Sequence, residues 1–223
     1  NGTKYYISVR ATDNVGNVSA TATTDGITVD TDVPTISSVV EGATGSGNTL
    51  TDIDGNIYQT VQIGDQVWMA ENLKVSKYRD GTAIPNLTDN SNWSSTSSGA
   101  YCAYDNNETN ASTYGYLYNW YAVDDSRNLA PECWHMPTDD DWKTLEMYLG
   151  MSQNEADDTG YRGTNEGSKL ADNTDLWNSG DLENNAEFGT SGFSALPGGY
   201  RTDSGTYTTI GNGASFWSST TTI

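Results

Sequence analysis

Cations are scarce in this chain. It carries 10 Lys+Arg against 30 Asp+Glu, a formal charge of −20 and a pI near 4.1. Phosphate recognition needs clustered Lys and Arg, and this chain cannot supply them, so nucleic acid and anionic lipid are excluded as partners. No apolar run is long enough to span a bilayer, which excludes membrane insertion by a helix of this sequence. Histidine occurs once and cysteine twice among the 223 residues, too few for a closed zinc site. Phenylalanine is rare too: 3 Phe stand beside 7 Trp and 14 Tyr. Aromatic burial therefore falls to side chains with a polar tip, which suit small β structures rich in wet loops. Asn, Asp, Ser, Thr and Gly fill much of the remainder, the residues of turns and caps. A lysine-poor, acidic, hydroxyl-rich chain of this kind is expected outside the cell, secreted or displayed on a surface.

Periodicity divides the chain. Tyr5, Ile7, Val9 and Ala11 alternate with polar neighbours, "DNVGN" (13–17) reads as a turn, and "VSATATTDGITV" reads as a second strand. Two strands cannot bury a sandwich core, so this hairpin is expected to complete a module whose other strands lie upstream or come from a partner. Residues 35–48 run into a Gly/Ser-rich linker, and a second domain is expected from Thr49. Within it, Asp54-Gly55 predicts a type I′ turn and Gly64-Asp65 a type II′ turn between short strands. The stretch 79–112 reads as polar loop. Tyr114, Leu117, Tyr118 and Tyr121 fall at helical intervals and predict an amphipathic helix over 114–123, with Trp120 and Tyr121 a sugar platform or, more simply, core.

"CWHMPTDDDWKTLEMYLG" (133–150) holds the only His beside three consecutive Asp. A metal or catalytic centre is one reading. The other is a helix start: Pro137 as breaker, Thr138 as N-cap, and Asp139, Asp140 and Asp141 in a first turn where carboxylates meet the positive end of the helix dipole. Thr138-x-x-Asp141 is a capping-box pattern, and Trp142, Leu145 and Leu149 follow at helical spacing before Gly150. The second reading gives every aspartate a task and is the one adopted.

Asp105, Asn107 and Glu108 offer oxygen ligands for Ca²⁺, as does "DDTGYRGTNEG" (157–167), although acidic loops are more often simply solvated. Asp52, Asp54 and Asn56 imitate the opening of a calcium loop, but Gly55 falls at the wrong position for one, so a turn is expected there. Cys102 and Cys133 form an even pair; in an exported protein a disulfide is expected, with two buried thiols as the alternative in the cytosol.

Two resemblances extend this reading. "YYISVRATDNVGNVS" followed by "DTDVPT" resembles the last hairpin of a fibronectin type III or bacterial Ig-like module over about residues 1–34. "DIDGNIYQTVQIGDQVWMAENLKVSKYRDGTAIPN", "GAYCAYDNN", "YGYLYNWYAV", "CWHMPTDDDWKTLE", "SGFSALPGGYR" and "FWSST" come in the order of the FISUMP domain, the major paralogous domain of Fibrobacter succinogenes, common on large secreted proteins of Bacteroidetes-like bacteria. That family looks related to the formylglycine-generating, sulfatase-modifying fold. The resemblance implies an α+β, C-type-lectin-like domain over 49–223 with short strands, two main helices and long loops. It also implies a domain incomplete at its C-terminal end, because the family continues some tens of residues beyond "WSST". The oxidising relatives carry their catalytic cysteines in that late region, where Cys102 and Cys133 do not lie. The calcium-dependent sugar signatures of lectins are missing as well.

The expected function is a non-catalytic extracellular adhesion or ligand-binding module within a larger multidomain protein. Its partner would be a glycan or a cell-surface protein. Trp93, Trp177, Tyr200 and Trp217 are the candidate stacking residues, with core or turn packing the simpler reading of each; catalytic residues are not expected and calcium is the one candidate cofactor. The alternatives are a sulfatase-modifying-type oxidase and a purely structural carrier or stalk.

Overall fold

The computed structural model describes residues 8–9, 22–23 and 49–221. The chain divides into two units, Asn1–Gly42 and Ala43–Ile223. In the first, β1 (Ser8–Val9) pairs antiparallel with β2 (Ala22–Thr23), Ser8 facing Thr23. The expected turn at 13–17 and the linker at 35–48 lie outside the described residues.

The second unit is α+β, with small antiparallel sheets among short helices. β3 (Thr49–Thr51), β4 (Ile57–Ile63) and β5 (Gln66–Met69) form a sheet in that order. Gly64-Asp65 makes the two-residue connection between the paired Ile63 and Gln66, and Gly64 takes φ +61° as a II′ turn demands. The Asp54-Gly55 connection differs from the expected tight I′ turn: it is a loop of residues 52–56 in which only Gly55 has positive φ. Asp52 shapes it from inside. Its Oδ1 accepts the Asp54 and Asn56 amides at 2.9 Å each, and its Oδ2 accepts the Asn56 side chain at 2.8 Å and the Tyr58 hydroxyl. Burial and that carboxylate together push the Tyr58 phenol well above its ordinary value. The acidic turn is a hydrogen-bond hub.

The stretch expected to be loop, 79–112, instead folds α1 (Asn90–Ser95), capped by the Asp89 carboxylate, then β6 (Tyr101–Cys102), and enters α2 (Glu108–Tyr114). Asx caps explain why: short polar side chains satisfy first-turn N–H groups and so start helices in segments with little apolar periodicity. The helix expected over 114–123 does not form. Gly115 (φ +75°) ends α2, β7 (Leu117–Tyr118) pairs with β6, and only a single turn, α3 (Trp120–Val123), follows. Tyr118 is buried against Val75, whose carbonyl accepts its hydroxyl at 2.7 Å. The helical spacing of the aromatics was thus coincidental, overridden by strand pairing and a glycine stop.

α4 (Asp139–Tyr148) is the longest helix among the described residues and holds the expected capping box, with both reciprocal bonds in place. Two more short helices, α5 (Gln153–Asp157) and α6 (Glu166–Leu170), precede β8 (Tyr200–Arg201) and β9 (Tyr207–Thr208). In place of two main helices, six short ones are present among the described residues.

Three apolar clusters fill the interior. One joins Val75, Tyr78, Ile84, Tyr118, Ala122 and Leu129. A second packs Leu145 of α4 and its C-cap residue Leu149 on Ile63, Trp68 and Phe193. The third holds Trp93, Ala100 and Cys102. Cys102 lies there on β6, fully buried, whereas Cys133 is exposed on a turn with φ +65°, and both thiols are free. The expected disulfide is therefore not formed: one sulfur is sealed inside an aromatic cluster and the other faces solvent. Burial pushes the Cys102 thiol up, against the pull of Tyr207 and Arg201.

Candidate functional site

The 133–150 segment sets the frame of the site. Thr138 caps α4, its hydroxyl accepting the Asp141 amide at 3.1 Å. Asp141 Oδ2 in return accepts the Thr138 N–H at 2.8 Å and its hydroxyl at 2.7 Å, and His135 Nε2 lies 3.0 Å from the same oxygen. Burial would raise the Asp141 carboxyl; the Thr138 N–H and hydroxyl, with His135, outweigh it and hold the acid below its ordinary value. Asp139 pairs with Lys143 at 3.0 Å. The sole imidazole and the acidic run are thus bound up in starting a helix, and no cluster of three or more His, Cys, Asp or Glu is placed to hold a metal among the described residues.

Across this helix start runs the segment 216–220. Ser219 N–H donates to the Pro137 carbonyl at 2.7 Å, and the Thr220 hydroxyl accepts the Asp139 N–H at 2.9 Å. These bonds lay two rings on the surface beside the helix. Phe216 is 43% exposed and packs edge-on against Phe193 at 5.5 Å and tilted against Trp142 at 5.5 Å. Trp217 is 42% exposed and tilts against Trp120 at 5.7 Å. Its indole N–H donates to the Tyr118 carbonyl at 2.9 Å, while its own carbonyl accepts the Trp142 indole at 3.2 Å. Tyr121, next to Trp120 in sequence, is 48% exposed. Phe216 and Trp217 thus form an aromatic ledge, held from behind by hydrogen bonds and open in front; no ring pair among the described residues joins Tyr121 to it.

Of the four candidate stacking residues, Trp217 lies on this ledge. Trp93 does not reach the surface: it is 7% exposed, its indole donates to the Thr202 carbonyl at 3.0 Å, and the Arg201 guanidinium covers its ring at 4.5 Å. Tyr200 is exposed on β8. Trp177 is half-buried and donates to the Asp172 carbonyl at 3.0 Å. Among the described residues no hydrogen bond or ring pair links any two of the four. Two of the three candidate calcium residues bond within the chain. Asn107 caps α2 by accepting the Thr109 amide, Glu108 accepts the Tyr116 hydroxyl at 3.0 Å, and Asp105 is an exposed residue at φ +52°. Phe216 was not anticipated from sequence. Its signal, an aromatic pair followed by Ser-Ser-Thr, becomes legible only once those hydroxyls are seen gripping the start of α4.

A family model described as the Fibrobacter succinogenes major domain matches residues 61–222. No curated protein and no solved structure gives a significant match.

Proposed function

Because the chain belongs to the Fibrobacter succinogenes major domain family, we propose that the unit from residue 49 onward is a non-catalytic recognition module, displayed at a cell surface or secreted as part of a larger protein. It engages a glycan or surface protein through the ledge of Phe216 and Trp217. One observation carries this reading: Trp217 is half-exposed yet pinned at both its indole N–H and its carbonyl. An exposed ring that is already ordered loses little entropy on binding, and tryptophan and tyrosine supply the largest contact area per rotatable bond. The C-type-lectin-like relationship and the Ig-like spacer before it belong to the same proposal, as does the extracellular setting.

Screening a glycan array and intact bacterial or plant cell surfaces tests it. Trp217→Ala is expected to weaken capture by tenfold or more, a hot-spot cost of about 2 kcal/mol, and Phe216→Ser to weaken it less. Undiminished capture by both variants removes the ledge as the contact surface. The two free thiols support a second reading, a cysteine-dependent oxidase. Oxygen uptake with a cysteine peptide and trace copper would support it, although one thiol is buried and the other exposed, which is a poor start for a reactive pair.

A further inference from the structure

A second opening carries a different chemistry. It is a cleft of about 240 Å³ between the chain after β5, the end of α2, and the loops at 172–173 and 194–196. Its walls are tied in pairs. Asn72 Nδ2 donates to the Tyr114 carbonyl at 2.8 Å, and Tyr116 N–H to the Leu73 carbonyl at 3.0 Å. Gly115 permits that approach, since a Cβ there would lie 2.8 Å from the Leu73 oxygen. On the other side Asp172 N–H donates to the Ala195 carbonyl at 3.0 Å, and Ala195 N–H to the Leu170 carbonyl at 2.8 Å. Trp177 anchors the rim through its bond to the Asp172 carbonyl. The cleft is thus built by long-range bonds, not left by a loose loop.

Two lining residues stand out. Asn173 (φ +57°) and Ser194 (φ +60°) both adopt the left-handed conformation that glycine takes without steric cost. Neither side chain is needed for the backbone around it. The Asn173 backbone N–H donates to Asp172 Oδ1 at 2.7 Å, but its side-chain amide makes no capping bond and enters no hydrogen bond among the described residues. Ser194 reaches only the Gly192 carbonyl at 3.5 Å, the limit of a hydrogen bond. Two polar side chains without a firm partner in the chain thus line one cleft. Donors and acceptors alternate around them: the Lys74 ammonium, paired with Glu71 at only 3.4 Å, the Asp172 carboxylate and the Ser112 hydroxyl.

We infer that this cleft binds a single neutral, polyhydroxylated ring such as a pyranose. Each sugar hydroxyl both donates and accepts, which matches a lining that mixes amides, hydroxyls, carboxylates and one ammonium. Anionic ligands are opposed by Glu71 and Asp172 at the cleft, and large apolar ones by a volume below the roughly 300–1,000 Å³ of a drug-sized site. The inference is independent of the aromatic ledge.

Titrating the ¹⁵N-labelled full chain with the methyl glycosides of glucose, galactose and xylose tests it. Saturable shifts are expected at Asn72, Gly115, Asn173 and Ser194 for at least one of them, with a Kd on the order of 1 mM for a ligand of about a dozen heavy atoms. The double variant Asn173→Gly/Ser194→Gly, and Asn173→Gly alone as a milder form, keep the left-handed backbone. They should retain the urea midpoint, with binding at least tenfold weaker in the double variant. No shift at the cleft with any of the three glycosides, or an affinity unchanged in the double variant, overturns the assignment. Binding that survives the double variant but vanishes in Trp217→Ala would overturn it while leaving the ledge reading intact.

Discussion

Arg201 is buried, yet among the described residues no carboxylate pairs with it. Its Nε donates to the Gly205 carbonyl at 3.0 Å, and its two terminal nitrogens to the Leu87 and Thr88 carbonyls and to Asn90 Oδ1, at 2.6, 3.2 and 2.8 Å. The rings of Trp93 and Tyr207 lie over its guanidinium at 4.5 and 4.8 Å. A planar fork with five donors can fill such a cage; an ammonium with three cannot, and it does not stack. Arg201→Lys is expected to destabilise by about 2–4 kcal/mol, through unmet carbonyls around a buried charge, and to move the urea midpoint without changing the slope. A shift within about 0.5 kcal/mol, the range of ordinary surface changes, would show the cage to be dispensable. The same cage gives Trp93 the core place that was the simpler of its two readings, stacking residue or packing. From sequence an indole that covers an arginine and one that awaits a ligand read alike.

Between residue and fold stand the caps and turns. In α4 the Thr138 hydroxyl both accepts from Asp141 N–H and donates to its carboxylate, so Thr138→Ala removes one capping acceptor and one partner of a charged oxygen. The expected cost is about 1–2 kcal/mol, read as a lowered urea midpoint. A loss no larger than that of a substitution at the exposed Asp140 would mean that the box adds nothing. Gly64 shows how one position can answer to two elements. Its turn requires positive φ, and a Cβ there would lie 2.8 Å from the Tyr148 ring on α4. Its turn role was legible from neighbouring residues; its contact with a helix far along the chain was not. The stretch 114–123 marks the opposite failure, since its apolar spacing fitted a helix while Gly115 and the pairing of Leu117 with Cys102 chose otherwise.

Over the whole unit, every described cation is engaged. Lys74, Lys77, Arg127, Lys143 and Arg162 pair with carboxylates, whereas Arg79, Lys169 and Arg201 bind carbonyl oxygens. The surplus acids are therefore unopposed, and two effects of acidification compete: relief of like-charge repulsion and loss of paired carboxylates. Arg127 holds the Asp125 carboxyl down to about 2, Lys143 lowers Asp157, and Ser152 lowers Glu155. Each folded-state value lies below the unfolded one, so the stability they contribute is complete above about pH 5 and is lost as pH falls toward 2. At 0.1 M salt, repulsion between exposed charges fades beyond about 10 Å, while the Arg127–Asp125 contact spans 2.6 Å. The pairs should win. The urea midpoint is expected to stay level from pH 7 to 5 and to fall between pH 5 and 2; a rise on acidification would show that repulsion dominates.

The amino-acid sequence determined what nearest neighbours decide: the acidic character, the II′ turn at Gly64, the capped start of α4, and the family to which 61–222 belongs. Each rests on chemistry within a few residues, where backbone geometry leaves one favourable choice. Tertiary structure alone decided the fates of residues far apart in the chain. It sealed Cys102 among aromatics and left Cys133 in solvent, buried Trp93 under Arg201, and exposed Trp217 on a scaffold of Tyr118 and Trp142. It also closed Asn173 and Ser194 around one cleft. A side chain's exposure is set by what packs on its faces, and those partners come from segments that sequence periodicity cannot bring together.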